Sequence, residues 1–598
     1  MKCLPNKVSS IGLAVALGSV ATLSAQAQGR GKARGTIQDA EIEVVKDRVN
    51  TLPEATRNYQ QIKLAPPPKA TRQLTYSYPD FRLPATRLAP VPQVLTIAPE
   101  ELEPLTGNYA KLGFGNYGTV YGRAHLHSTR NEQYSYGLDV RHQSSASGPV
   151  DGKNSGVAQT SVATTGEYYL GNTALGASLD YARERYRFYG YTPALLAATP
   201  SEESLRQTFN RFGVRGYARN RAPEAKLTYE VGIGYKYWQD AYTSTESNFL
   251  LDAKAGYALG ENGRVTLQAN GSFITEKEAY GDIARVQYSR SRNFIQATPA
   301  YELTTKTGLL LTLGATVGYS GEPLADGSNP RGVGKTMVNP AVRVGYNVVP
   351  EKFQVYAGAG GAIQRVTRYD LTQENPWLGT GTNQSVADTR YGPTLYAGFT
   401  AAPASGLELA ARATYGRTRN LYFFNNTTRP SIGQPLPLYA GSAYDLVYDT
   451  TAVNVLTLHG ELLYSAAEKW RAGFKADYNH YGVSSLAHPY GRPAFVSTIY
   501  GTYQASDKLL IGADFYYYSP NWGTAYTPLV LNNGTTTFLT ADQQTTSVID
   551  LSLRAEYRIT PKFSIFALGN NLANRRYQRF LNYPVKGINV IGGLAYSF

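Results

Sequence analysis

Six histidines and a single cysteine leave little catalytic material in a chain of 598 residues. His125 and His127 stand two apart, so on a strand both imidazoles would share a face and reach one metal ion. No third ligand lies close in sequence, and the plainer expectation is a pair of polar residues on a wet wall. His459 and Glu461 repeat that spacing, as an acid–base pair or an ordinary hydrogen bond. H-E-x-x-H, G-x-S-x-G and G-x-x-x-x-G-K-[ST] are missing, and no G-x-G-x-x-G sits between an apolar strand and a helix. Cys3 falls in a leader, which leaves the mature chain without a thiol nucleophile, disulfide or thiolate metal site. A Ser/His/Asp set assembled across distant strands would escape a local search. The residues at hand point to a non-enzyme with no cofactor and no resident metal.

The remaining polar chemistry is a pattern. Trp470, Ala472, Phe474, Ala476 and Tyr478 alternate with Arg471, Gly473, Lys475, Asp477 and Asn479. Leu551, Leu553, Ala555, Tyr557 and Ile559 alternate with Asp550, Ser552, Arg554, Glu556 and Arg558. On a strand such alternation gives one apolar and one polar face. Arg471, Lys475, Asp477, Arg554, Glu556 and Arg558 are therefore candidates to line a polar lumen. The formal charge of +14 is spread singly through these segments without a long Lys/Arg run, which argues against a nucleic-acid partner.

The elements that would position these residues are strands. Tyr (48) and Gly (58) are abundant, charged residues are 17% of the chain, and beyond the leader no apolar stretch is long enough for a membrane helix. Lys2 and Lys7, an apolar run from Ile11 to Leu23 and the small residues before Gln28 read as a signal peptide over 1–27. Residues 28–107 form a Pro-rich arm, with Pro66, Pro67, Pro68, Pro79, Pro84, Pro90, Pro92, Pro99 and Pro104 favouring extended chain. From 108 to 598, strands are expected to begin near Tyr109, Thr119, Gln133, Gln159, Thr173, Arg206, Ala225, Thr245, Gly263, Tyr288, Gly308, Thr336, Lys352, Asp388, Gly406, Thr450, Lys469, Pro493, Lys508, Thr545, Lys562 and Gly587. Short connections, such as 171–172, 350–351, 403–405, 506–507 and 560–561, alternate with long ones at 192–204, 322–334, 372–387, 427–449 and 523–544. That alternation predicts an all-β fold, a closed antiparallel transmembrane β-barrel of about 22 strands preceded by the arm. Lipid admits no open edge, so the strand near Tyr109 should pair with the one ending at Phe598. Tyr516, Tyr517 and Tyr518 suit an interfacial girdle.

Asp550-Leu551-Ser552-Leu553, Tyr557-Arg558-Ile559-Thr560, Gly569-Asn570-Asn571-Leu572-Ala573-Asn574-Arg575-Arg576-Tyr577, Asn582-Tyr583-Pro584-Val585-Lys586-Gly587 and the closing Gly592-Gly593-Leu594-Ala595-Tyr596-Ser597-Phe598 resemble the end of a TonB-dependent receptor barrel of the Bacteroidetes kind. The resemblance covers the barrel region, sharply over its last strands and loosely before. It implies a 22-strand barrel in the cell outer membrane, with outer-membrane lipid around it. Ile588, Val590, Leu594, Tyr596 and Phe598 would be the assembly signal read by the barrel-insertion machinery. Glu41, Ile42, Glu43, Val44 and Val45 are similar to a docking segment for TonB. Members of that family carry a folded plug before the barrel. Here the Pro-rich arm, placed in the periplasm, stands instead and no plug motif is visible. The implied function is transport or gating of solute or macromolecule passage through a porin-like bore. The alternative is a non-transporting scaffold subunit of an outer-membrane assembly or surface-export complex. A bore that wide must be closed by the arm, by a long outer loop, or by a periplasmic or membrane protein partner.

Overall fold

Strands form where polar and apolar residues alternate, and they end where Gly, Pro, Asn and Asp cluster. The computed structural model describes residues 107–598 except 130, 192–198, 223, 281–285, 323–332, 380–385, 429–440, 467–468 and 535. The leader, the arm and the segment Glu41–Val45 lie outside the described residues. The main sheet has 22 strands, each starting within three residues of its expected position. Strands adjacent in the sheet run antiparallel, and the first, Tyr109–Gly115, closes on the last, Asn589–Ser597, in register from Tyr109↔Ser597 to Gly115↔Ile591. Closure leaves neither end strand with an unpaired edge.

The longest connections all lie at one end of the barrel. At the turn side, 171–172, 260–262, 350–352, 405–406 and 507–508 join neighbours tightly. Gly171 takes φ +56 there, a left-handed turn position where a side chain would be strained. At the loop side, 188–205, 365–388, 420–452, 519–547 and 571–588 are long. Two of these, expected as plain loops, fold into hairpins: Tyr422–Thr427 with Ala443–Tyr448, and Trp522–Val530 with Thr536–Gln544. The strands Gly263–Tyr280 and Val286–Thr304 have 18 and 19 residues. At about 3.3 Å per residue they are far longer than the ~9–11 residues that cross a bilayer.

Exposure is inverted relative to a water-soluble protein. On the outer face Leu112 is 67% exposed and its cross-strand neighbour Leu594 63%, whereas on the inner face Lys111 is 6% exposed and Asp514 2%. Outward Tyr168, Tyr257, Tyr346, Tyr464, Trp470 and Tyr557 stand near the turn-side ends of their strands, as an aromatic belt would. The expected Tyr516–Tyr518 girdle is corrected in part. Period two sends Tyr516 and Tyr518 inward, where they are buried beside Val496 and Val548. Among the described residues no helix is long and apolar enough to cross a membrane.

Closure brings glycines of both seam strands against the facing backbone. A Cβ on Gly115 would fall against the Val590 carbonyl oxygen and one on Gly593 against the Leu112 carbonyl oxygen and the Phe566 ring, whereas one on neighbouring Gly592 would meet nothing within 4 Å. Gly593→Val should therefore cost about 1–3 kcal/mol or more through overpacking at the seam. The folded, heat-modifiable band on cold gel electrophoresis should fall severalfold for Gly593→Val and stay at the wild-type level for Gly592→Val.

Candidate functional site

The inner wall carries the polar alternates of each strand, and cross-strand register pairs them by charge. Lys475 Nζ lies 3.0 Å from Glu461 Oε1, and Arg554 Nη1 donates to Asp514 Oδ2 at 2.9 Å. Lys111 Nζ donates to Glu556 Oε2 at 2.6 Å, and Ser564 Oγ donates to the other oxygen at 2.7 Å. Asp477 lies opposite His459, with Oδ1 2.7 Å from Nδ1. The expected His459–Glu461 pair is thus secondary at 4.0 Å, because residues directly opposite across two strands approach more closely than residues two apart on one strand. Arg471 is exposed one residue into its strand, and Arg558 sits opposite Ser564. His125 stacks on Tyr109 at 5.7 Å and lies 3.4 Å from Asp139, while His127 Nδ1 is 2.9 Å from the Ser128 carbonyl. Among the described residues no group of three or more His, Cys, Asp or Glu is arranged to hold a metal ion. Val590, Leu594 and Tyr596 are exposed on the outer face of the closing strand, and Ile588 and Phe598, which flank it, are exposed as well.

A second constellation escaped the sequence reading. The loop 365–388 carries a short helix, Arg368–Glu374, capped by Thr367, whose side chain accepts from the Asp370 N–H. This loop is fastened to the inner wall by buried charge. Arg292, 2% exposed, donates through Nε to Glu276 at 3.0 Å, through Nη1 to Asp388 at 3.0 Å and through Nη2 to the Val366 carbonyl at 2.8 Å. Ser320 Oγ donates to Asp388 at 2.6 Å. Glu246 accepts from the Arg368 and Tyr369 N–H groups at 2.7 and 3.2 Å. Arg368 Nη2 donates to Glu278 at 3.1 Å. Burial works against the Arg368 charge, but Glu278, Glu276 and Glu246 outweigh it and raise its pKa. Arg211 bonds Glu184 and donates to Thr372 Oγ1 at 2.8 Å, where Trp238 Nε1 also donates at 2.9 Å.

Beyond the helix the same loop reaches an aromatic core built from several connections. Trp377 stacks on Tyr583 at 3.8 Å and meets Tyr189 and Phe580 edge-on. Leu378 bridges Tyr444, and Tyr444 Oη donates to the Leu581 carbonyl at 2.7 Å. Phe188, Leu205, Val386, Tyr422 and Phe424 complete the cluster, each 6% exposed or less. The hairpin Trp522–Val530 joins it, with Tyr526 Oη donating to the Asn426 carbonyl at 2.9 Å. Asp449 ties the loop 420–452 to 483–494 by accepting from the Ser484 and Ser485 N–H groups at 2.7 and 2.9 Å and from Thr451. Burial raises the Asp449 pKa, but the N–H groups of Thr451, Ser484 and Ser485 together outweigh it and hold the carboxyl well below the usual carboxylate range. The long loops thus converge on one core at the loop-side mouth, and the loop 365–388 links that core to the wall.

The period-two carboxylates of Thr275-Glu276-Lys277-Glu278 and the Thr367-x-x-Asp370 cap were visible signs of this site. Its partners were not, since Arg292 and Asp388 are 96 residues apart.

Removing Arg292 leaves buried Asp388 without its cation and Glu276 with the more distant Arg368 at 3.8 Å, a loss of about 3–5 kcal/mol. Arg292→Ala should release the loop while the barrel stays closed, so trypsin should cut after Arg365 or Arg368 at least tenfold faster with the heat-modifiable band retained. Asp449→Asn should loosen the cap by about 1–3 kcal/mol near neutral pH. A folded-state pKa held below the unfolded value stabilises above that value and loses its effect as pH falls. The difference between wild type and Asp449→Asn in hydrogen exchange over 449–486 should therefore shrink from about pH 4 downward.

Neither a family model nor a curated protein matches the chain. Solved structures do. The pyoverdine outer membrane receptor FpvA of Pseudomonas aeruginosa is similar at 13% identity and TM-score 0.58, over 83% of this chain and 79% of that one. The ferric enterobactin receptor PfeA of Pseudomonas aeruginosa is similar at 14% identity and TM-score 0.55, over 82% and 80%. The copper transporter OprC is similar at 12% identity and TM-score 0.56, over 82% and 80%. At these identities the likeness establishes the fold, a 22-strand barrel of the kind these receptors have.

Proposed function

We propose that the chain is an outer-membrane transport barrel of the TonB-dependent-receptor type, gated at its outer mouth by its own loops. The observation that carries the reading is the inverted wall: an unbroken antiparallel sheet with leucine, valine and tyrosine outside and paired charges inside. Such a surface is stable in lipid and unstable in water. The neighbours are receptors and a transporter by name, which supports passage across the outer membrane over a scaffold role.

In this reading Arg471, Lys475, Asp477, Arg554, Glu556 and Arg558 lie along the cargo path. The insertion machinery reads Ile588, Val590, Leu594, Tyr596 and Phe598. The Pro-rich arm, residues 28–107, replaces a plug in a receptor of the Bacteroidetes kind, and Glu41–Val45 is the segment that would meet TonB. Of the closures considered, the loops have most support, because Trp377, Tyr444, Phe580 and Tyr583 come from three different connections and share one core. Opening then means unseating the loop 365–388.

Leu378 and Tyr444 are bridge partners, so their backbones lie about 5 Å apart, within disulfide reach. In planar bilayers, deletion of 368–379 should raise conductance at least tenfold over the full chain. The Leu378→Cys/Tyr444→Cys pair should abolish cargo uptake by cells when oxidised and recover it when reduced. A silent deletion variant that co-purifies with a stoichiometric partner would instead make the chain a sealed scaffold.

A further inference from the structure

The sequence Tyr-x-Arg-x-Arg occurs four times, beginning at Tyr181, Tyr217, Tyr288 and Tyr415. In two of these the arginines of the strand face the lumen and are neutralised within the wall: Arg219 Nη2 lies 2.7 Å from Glu167, and Arg292 sits among Glu276 and Asp388. The other two face outward at the loop-side ends of Thr173–Arg187 and Leu407–Arg419. There Leu179, Tyr181 and Tyr415 are exposed on the outer face at 39%, 38% and 52%. Arg183, Arg185, Arg417 and Arg419 continue the same faces beyond them, also exposed.

No carboxylate answers these four. Across the strands Arg183 faces Thr160 and Asn210, Arg185 faces Ala158 and Thr208, Arg417 faces Asn454, and Arg419 faces Arg390. None of the four makes an ion pair among the described residues, while Lys111, Arg123, Arg211, Arg215, Lys475 and Arg554 on the inner face all do. Arg187, the last residue of the strand Thr173–Arg187, is by contrast buried and paired with Glu202 at 2.7 Å. A tyrosine with an apolar ring and a wet hydroxyl sits at the lipid–water boundary. The outward positions two and four residues further lie about 7 and 13 Å beyond it, at headgroup depth. Their counter-ion must then come from outside the chain, and a guanidinium binds phosphate through two parallel hydrogen bonds.

We propose that the two outward Tyr-x-Arg-x-Arg ladders, at Tyr181–Arg185 and Tyr415–Arg419, bind phosphate-bearing lipid headgroups of the outer leaflet. The proposal rests on the membrane reading above. The test uses the folded full chain, its Arg183→Gln/Arg185→Gln/Arg417→Gln/Arg419→Gln variant and the matching four-lysine variant. Native mass spectrometry would follow binding of diphosphorylated lipid A, with phosphatidylcholine, whose single phosphate is neutralised by its own choline, as the zwitterionic control. Lipid A occupancy should fall about tenfold in the glutamine variant, survive largely in the lysine variant, and exceed phosphatidylcholine in the wild type. Undiminished lipid A on a glutamine variant that floats with vesicles and keeps its heat-modifiable band would overturn the headgroup proposal alone. If the wild type itself fails to float with vesicles, the membrane reading falls and takes the proposal with it.

Discussion

Everything in this molecule depends on the pairing of Tyr109–Gly115 with Asn589–Ser597. Without that seam the sheet would have two free edges, each a row of unsatisfied N–H and C=O groups. With it, backbone hydrogen bonding is completed around the circumference and the side chains are left to meet two different solvents. The seam is tight because Gly113 and Gly593 face each other in register and let the two strands close together.

Closure also decides the electrostatics. Charges on the inner face are confined, so each must find a partner or bear the desolvation of standing alone. The pairs Lys111–Glu556, Arg123–Asp139, Arg215–Asp252, Lys475–Glu461 and Arg554–Asp514 are made between neighbouring or near-neighbouring strands, where the register brings opposite charges within a few ångströms. Charges on the outer face have no such opportunity, since the band between the two ends is apolar. Arg183, Arg185, Arg417 and Arg419 stand at its margin and make no ion pair among the described residues.

The loop side combines both kinds of force. Aromatic packing of Trp377, Tyr444, Phe580 and Tyr583 holds the loops to one another, and the Arg292, Arg368 and Glu276 network holds one of them to the wall. In the gating reading proposed above, a buried ion network of this sort is a sensible fastening for a part that moves. Its charges remain satisfied as a set when seated, and water can take over their solvation when the loop lifts. An apolar seat of the same area would expose grease on opening.

Much of this was legible in the order of residues. Period-two alternation such as Leu551-Ser552-Leu553-Arg554 identified the strands, and the change from tight turns at 171–172 and 506–507 to long connections such as 427–449 separated the two ends. These are local properties, fixed by backbone geometry over a few residues. Alternation alone told which residues share a face, but not that Tyr516 and Tyr518 turn inward, nor that one Tyr-x-Arg-x-Arg run is buried at Arg292 while another is exposed at Arg183 and Arg185. Which face becomes the inside is settled only when the sheet closes. The capped mouth was likewise invisible, because its contacts join residues such as Tyr444 and Leu581 across 137 positions, and no local pattern encodes which loops will meet. The chain by itself determined strands, turns and a two-faced wall; the closed cylinder decided inside from outside, and proximity across its mouth decided the rest.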